Sequence, residues 1–445
     1  MALPKLPNRL LLFLCPLVLC GQTSSEIARI MERLDRLERE NRALSEQVRT
    51  LTERVVKTGE SPVPAASPDA PTPTAEERLE IVERRVEEQA QTKVEASQKF
   101  PIRLTGMALF NAFMNSKQSG GSDYPVVAGA TGPGHSGATV RQSILGLEFQ
   151  DPGVVWGGKA HGSVYMDFFA GANNNAFRIR TATIQVDWKS RAVAVGLEKP
   201  IFNPREPSSL AQVGISPLTG AGNLWLWLPQ VRVEQELRFA RSTGLRAQVG
   251  VVQTRELGPY VGTTTPEAAR PGLEGRFNFY HRLDDERRME MAVGFHTSAT
   301  HAAGTSIPSN LVSLDWFFNP WKRLEFNGVF YSGTNVAHLG SGTRQGFGLY
   351  GMRAYGVESA GGWGQVTIRA APRWDLHFFT GQVDDANQHL IRGSIGKNLL
   401  YGGNVYFHLA PNVLTAIEAT QLRTMYIGQG VRINNHYDLA LAYLF

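Results

Sequence analysis

The chain has 445 residues, of which 42% are hydrophobic, and a formal net charge of +5. That length holds two or three structural units. Its one long apolar run, Leu10–Leu19, is shorter than the roughly 20 residues that a membrane-spanning helix needs. No cysteine follows Cys20, so neither a disulfide scaffold nor a thiolate metal site is expected once an export signal is removed.

Lys5 and Arg9 precede the apolar run. A basic start, a short apolar stretch and a polar continuation read as a secretory signal over residues 1–21, cut near Cys20 or Gly21. Leu17–Cys20 also resembles a lipoprotein cleavage site, but Leu19 is larger than the small residue that normally precedes a lipidated cysteine. Residues 22–58 read as a coiled coil. Ile27, Ile30, Leu34, Leu37, Asn41, Leu44, Val48, Leu51 and Val55 alternate at spacings of three and four, an a/d seam kept over about four heptads. Charged residues of both signs lie between them, as on a solvated face. Asn41 at a core position fixes register or strand number at a cost in stability, and the mixed β-branching of the seam suits two or three strands. A single helix of this composition would have nothing to bury its seam against. Residues 59–74 form an extended linker with Pro62, Pro64, Pro68, Pro71 and Pro73. Residues 75–99 read as a second helical segment, with Leu79, Val82 and Val86 on one face.

Over residues 100–445, helical periodicity gives way to strict alternation. Val231, Val233, Leu237 and Phe239 share one face, while Arg232, Glu234, Glu236 and Arg238 share the other. Phe277 and Phe279 oppose Arg276, Asn278, Tyr280 and Arg282; Leu324, Phe326 and Phe330 oppose Glu325, Asn327 and Tyr331. A soluble sandwich seldom opposes its apolar face with so charged a one. The pattern suits an all-β transmembrane antiparallel barrel, apolar outward and polar inward. The chain ends with Tyr437, Leu439, Leu441, Tyr443 and Phe445 on one face. Aromatics at both ends of that strand fit the two interfacial girdles. Tyr443 and Phe445 resemble the assembly signal that bacterial outer-membrane barrels present to the barrel-assembly machinery. The expected location is the bacterial outer membrane, in contact with its lipid, with the coiled coil in the periplasm.

Seven short turn signals divide the barrel: Asp151–Gly153, Trp188–Ser190, Arg241–Gly244, Leu283–Asp285, Asn319–Pro320, Ala371–Pro372 and Ala410–Asn412. Seven periplasmic turns join eight hairpins, or about 16 strands, and leave both barrel ends in the periplasm. Residues 334–360 and 382–399 are assigned to loops; as hairpin strands they would raise the number to about 18. The longest outer connection, residues 200–228, carries Pro204, Pro207, Pro217, Trp225 and Trp227. Loops that long inside a compact domain are usually functional. This one is expected to fold into the lumen and narrow it, with an external loop at a subunit contact as the alternative.

The segment Phe177–Val186, followed by Gly196, Lys199, Pro200 and Phe202, resembles the paired strands and constriction-loop entry of trimeric porins of the phosphate-selective type. It is more similar still to DcaP-like porins, which carry an N-terminal coiled coil. The resemblance spans signal, coiled coil, barrel and terminal Phe445. It implies passive uptake of small, mainly anionic solutes through a homotrimer. The chain departs from the pattern at Ile201, an extra residue before Phe202, and in the scarcity of lysine in its barrel. Phosphate selectivity is therefore not implied.

Residues 100–445 hold 30 Lys and Arg against 24 Asp and Glu. An arginine on the lipid face at mid-bilayer costs roughly 2–4 kcal/mol. Arg178, Arg180, Arg232, Arg238, Arg246, Arg276, Arg282, Arg323 and Arg369 are therefore placed on the inner wall, with Lys199 at the loop entry, as channel-lining and solute-binding candidates. A permanently charged guanidinium pairs with carboxylate or phosphate oxygens, and rings of such groups select anions in pores. Each arginine can equally serve in an Arg–Glu network that only holds strands. Arg178 and Arg180 run out of phase with Thr181, Thr183, Gln185 and Asp187, which a bulge near Arg180 would reconcile. There is no Gly-x-Ser-x-Gly motif, and the ten histidines show no metal spacing. No enzyme activity, metal or cofactor is expected. Basic residues spread through alternating strands also argue against nucleic acid. The competing readings are a cell-wall tether with a barrel anchor, and a general or sugar-type porin without anion preference. A peptide of residues 22–60 is expected to sediment as a dimer or trimer; a monomer would refute the seam.

Overall fold

The computed structural model describes residues 102–171, 175–267, 270–351 and 353–445. The signal, the linker, the helical segment and every coiled-coil seam residue from Ile27 to Val55 lie outside the described residues.

The alternating segments form long strands: β1 (Ile102–Asn115), β2 (His135–Thr139), β3 (Ile144–Val154), β4 (Gly158–Asp167), β5 (Arg178–Asp187), β6 (Arg191–Glu198), β7 (Leu228–Arg238), β8 (Thr243–Gln253), β9 (Pro271–Arg282), β10 (Arg288–Ala302), β11 (Thr305–Trp321), β12 (Leu324–Thr334), β13 (Phe347–Tyr350), β14 (Arg353–Gly356), β15 (Glu358–Ala371), β16 (Trp374–Asp385), β17 (Ile395–Ala410), β18 (Val413–Tyr426) and β19 (Gly430–Leu444). β2 and β3 pair with different parts of β1 and form one interrupted stave. β19 pairs with β1 and closes the sheet, which removes every free edge. β13 and β14 pair only with each other, as a hairpin outside the wall. The wall is therefore a closed antiparallel barrel of 16 strands. Residues 334–360 supply that separate hairpin, and residues 382–399 supply the ends of β16 and β17, so neither stretch adds a stave.

All seven short turns lie at the end that carries Ile102 and Phe445. Proline shifts two of them from the expected residues. Pro152 and Pro320 sit where β3 and β11 lose register with their partners, between Gln150 and Gly153 and between Phe318 and Trp321. Proline has no N–H for the ladder and is confined in sheets to such bulges and edges. The chain reverses later, at Val155–Gly157 and at residues 322–323. A bulge also falls at Arg180: Tyr165 faces Thr181 while the next residue, Met166, faces Ile179. Arg178, Arg180 and the threonines beyond thus share the inner face.

The outer face keeps its apolar residues exposed, among them Val231, Val233, Phe277, Phe279, Leu439 and Leu441. At the closing seam, the Gly106 N–H donates to the Phe445 carbonyl (2.9 Å), and the Phe445 N–H to the Gly106 carbonyl (3.1 Å). A Cβ on Gly106 would lie 2.6 Å from the Phe445 ring. Tyr443 faces Ala108 across the same seam. Phe277→Arg, at the middle of β9 on the outer face, is expected to lower the stability of the barrel refolded in lipid vesicles by about 2–4 kcal/mol, read from denaturant unfolding.

Candidate functional site

The longest connection, residues 199–227 (loop 3, between β6 and β7), does not project outward. It turns into the barrel and lies against the inner wall, where each backbone group it buries needs a partner. Just before the loop, at Gly196 in β6, a Cβ would come within 2.1 Å of the Ala182 carbonyl oxygen of β5, so the two strands meet closely there. The Ile201 N–H donates to Glu274 on β9 (2.7 Å), and the Phe202 carbonyl accepts from Ser313 on β11 (3.0 Å). Arg205 donates to Asp315 on β11 and Glu290 on β10, both at 2.7 Å. The Ser208 N–H donates to Gln365 on β15 (2.7 Å), and the Ser209 hydroxyl to Glu418 on β18 (2.5 Å). The Leu210 carbonyl accepts from Asn111 on β1 (2.9 Å), and the Gly220 carbonyl from Asn398 on β17 (2.7 Å). At Gly222 the loop lies so close to the wall that a Cβ would meet the Gly362 carbonyl oxygen at 2.1 Å.

The interruption between β2 and β3 serves the same loop. The Gln142 side chain donates to the Ala211 carbonyl (2.7 Å) and accepts from the N–H groups of Val213 (2.8 Å) and Gly214 (2.6 Å). Ser143 mends the gap in the ladder, exchanging hydrogen bonds with the Leu109 N–H (2.9 Å) and carbonyl (3.2 Å). Loop 1 (residues 116–134) and loop 6 (residues 335–357) also fold inward. Asn398 holds the Val126 carbonyl of loop 1 (2.8 Å), and Gly340 of loop 6 leaves no room for a Cβ against the Trp225 backbone. Beneath these loops the inner wall is apolar: Val329, Trp363, Phe379, Leu400 and Leu422 pack against Ala128, Leu218 and Ala221. His338 of loop 6 is buried against β10 and β11, and burial, with the neighbouring His296, pushes its imidazole down to about 3. It stays neutral at ordinary pH and shares a hydrogen bond with the Ser309 hydroxyl (3.1 Å).

The ten sequence-derived candidates divide into groups. Arg178 and Arg180 both reach the buried Asp167, at 2.6 Å and 2.9 Å. They also donate to the carbonyls of Gly214 and Val213, each at 2.7 Å. Both guanidinium groups lie 5.0 Å from the centre of the Trp227 ring. Arg276 is buried against Asp315 (2.7 Å), Arg232 pairs with Glu198 (2.7 Å) and Lys199 with Glu206 (3.0 Å). These five hold the wall and loop 3. Arg238, Arg246 and Arg369 pair with Glu236 (2.7 Å), Glu234 (3.0 Å) and Glu325 (3.3 Å) near the turn end of the barrel. Arg282 closes β9 at the same end. Arg323 does not sit on a strand: it lies in the two-residue turn between β11 and β12, exposed, because the Pro320 bulge carries β11 past its expected end. Gln142, Glu274 and Glu418 were not singled out from sequence; the loop 3 groups they hold lie from about 70 to more than 200 positions away.

A closed 16-stranded wall, short turns at one end and a long third loop folded into the lumen define an outer-membrane porin fold. No family profile and no curated protein matches the chain by sequence. By structure it is similar to the outer membrane channel DcaP of Acinetobacter baumannii, at 15% identity and a TM-score of 0.66, covering 77% of this chain and 97% of that one. It is also similar to an anion-selective porin from Comamonas acidovorans, at 11% identity and a TM-score of 0.51, covering 77% and 99%. The fold is that of a DcaP-like porin. Gln142→Ala would leave two buried N–H groups of loop 3 without an acceptor, a cost of about 1–3 kcal/mol each. Larger and noisier single-channel currents are expected from that variant in planar bilayers; unchanged currents would mean that the loop is held without Gln142.

Proposed function

We propose that the chain forms a passive pore for small solutes in the bacterial outer membrane, with a preference for anions, and that it assembles as a homotrimer with its N-terminal helical segment in the periplasm. One asymmetry among the ion pairs carries the anion preference. Arg103, Arg238, Arg246, Arg288 and Arg369 pair with Glu148, Glu236, Glu234, Glu290 and Glu325. In every pair the arginine side chain is 42–67% exposed and the glutamate only 15–23%. The carboxylates lie back against the wall while the guanidinium groups stand in water. Mobile ions that pass the turn-end mouth meet the positive member of each pair first. Salt weakens such fields within about a Debye length, roughly 10 Å at 0.1 M, so the preference is strongest at low ionic strength.

The anion-selective character named for the similar Comamonas porin agrees with this reading. Nothing in the charge pattern singles out phosphate. A tether with a barrel anchor predicts no conductance, and a general or sugar-type porin predicts no ionic preference. The full-length protein in planar bilayers under a KCl gradient is expected to give a reversal potential of anion sign. The triple variant Arg238→Glu, Arg246→Glu and Arg369→Glu should move that potential toward cation selectivity. A cation-selective wild type would refute the anion preference, and a silent one would refute the pore.

A further inference from the structure

We infer that the turn-end mouth contains a discrete holding site for a small carboxylate or oxyanion, built on Arg282 between β8, β9, β10 and the 283–287 turn. The inference rests on the anion-preferring pore proposed above and adds to it a place where the solute pauses.

Arg282 and Arg288 stand directly opposite each other across β9 and β10. Like charges so placed destabilise a sheet unless something intervenes. Arg288 is relieved by Glu290 (2.6 Å), whose other oxygen is already taken by Arg205 (2.7 Å). Arg282 receives no such relief: its backbone N–H is bonded to the Ser242 carbonyl, and its guanidinium has no partner among the described residues.

The two arginines border a cavity of about 330 Å³, lined also by Arg246 and Arg287 and by the carboxylates Asp284, Asp285, Glu286 and Glu290. The neighbouring acids are largely committed. Glu234 holds Arg246 (3.0 Å), and Glu286 holds Lys322 (3.2 Å). Asp284 accepts from Arg287 and from two turn N–H groups, and those bonds hold its carboxyl below the usual carboxylate range. Asp285, exposed at the rim, is the remaining acid. The cavity therefore offers a guanidinium fork with all its donors unused, backed by two further cations. That fork matches the paired oxygens of a carboxylate or oxyanion, and the volume lies at the small end of the range for small-molecule pockets, roughly 300–1,000 Å³. Chloride, with no second oxygen, gains only the charge.

The test is block of the chloride current of the full-length protein by sodium sulfate and, separately, sodium acetate, both in planar bilayers. Wild type is expected to show saturable block. Arg282→Gln should raise the half-blocking concentration about tenfold, in keeping with loss of a charge-assisted pair. Arg282→Lys, which keeps the charge but loses the fork, should fall between them. Arg241→Gln, the same charge change in the turn between β7 and β8, should stay within about twofold of wild type, as expected for surface charges screened over roughly 10 Å. Heat-modifiable migration on gels verifies that each variant is folded. If wild type is anion-selective but sulfate block is absent, unchanged in Arg282→Gln, or equally weakened in Arg241→Gln, the site is refuted while the pore reading stands. A cation-selective wild type refutes both.

Discussion

Loop 3 runs through the inside of a barrel without a ladder of its own, so the backbone groups it buries must find partners on the wall or in its own turns. That requirement organises the inner face. The Glu274 carboxylate and the amides of Asn111, Gln142, Gln365 and Asn398 point inward to loop N–H and carbonyl groups, and the Glu418 carboxylate to the Ser209 hydroxyl. The wall itself gives way at residues 140–143 so that Gln142 can reach three loop groups at once, and Ser143 repairs the ladder that this breaks.

The same requirement divides the arginines. Arg178 and Arg180 share one buried carboxylate and spend their remaining donors on loop carbonyls. Arg205 and Arg276 meet on Asp315 in the same way. Such groups cannot be withdrawn from their partners without leaving Asp167 or Asp315 buried and unpaired, which is strongly destabilising. The exposed arginines that lean on glutamates, Arg103, Arg238, Arg246, Arg288 and Arg369, lie elsewhere, toward the end where strands meet the short turns. Anchoring and solvent-facing charge thus occupy different levels of one barrel, built from one residue type.

Loops folded inward also change what an inner face is made of. Where loops 1 and 3 pack on β12 and β15–β18, the wall turns Val329, Trp363, Phe379, Leu400 and Leu422 toward the axis. That interface is buried, and its apolar contacts add to the hydrogen bonds that fix the loops. Gly222 belongs to the same close approach of loop and wall, since a side chain there would collide with the Gly362 carbonyl oxygen.

The alternation of Val231–Phe239 and of Gly275–Arg282, the seven turns and the aromatic last strand were enough to specify a closed antiparallel barrel, because each strand's two faces meet different media and the sequence must state which residue meets which. The bulge at Arg180 was legible for the same reason: a change of phase in the pattern has no other cheap explanation. What a given inward residue does was not legible. Arg178, Arg246 and Arg282 look alike in the sequence, yet one is locked to Asp167 and loop 3, one leans on a glutamate into water, and one has no side-chain partner among the described residues. Gln142 and Glu418 carried no local signal at all. Face is a local property with a period of two residues, whereas partnership across the lumen joins residues 70 to more than 200 positions apart, and only the closed barrel with its loop inside brings them within hydrogen-bonding distance.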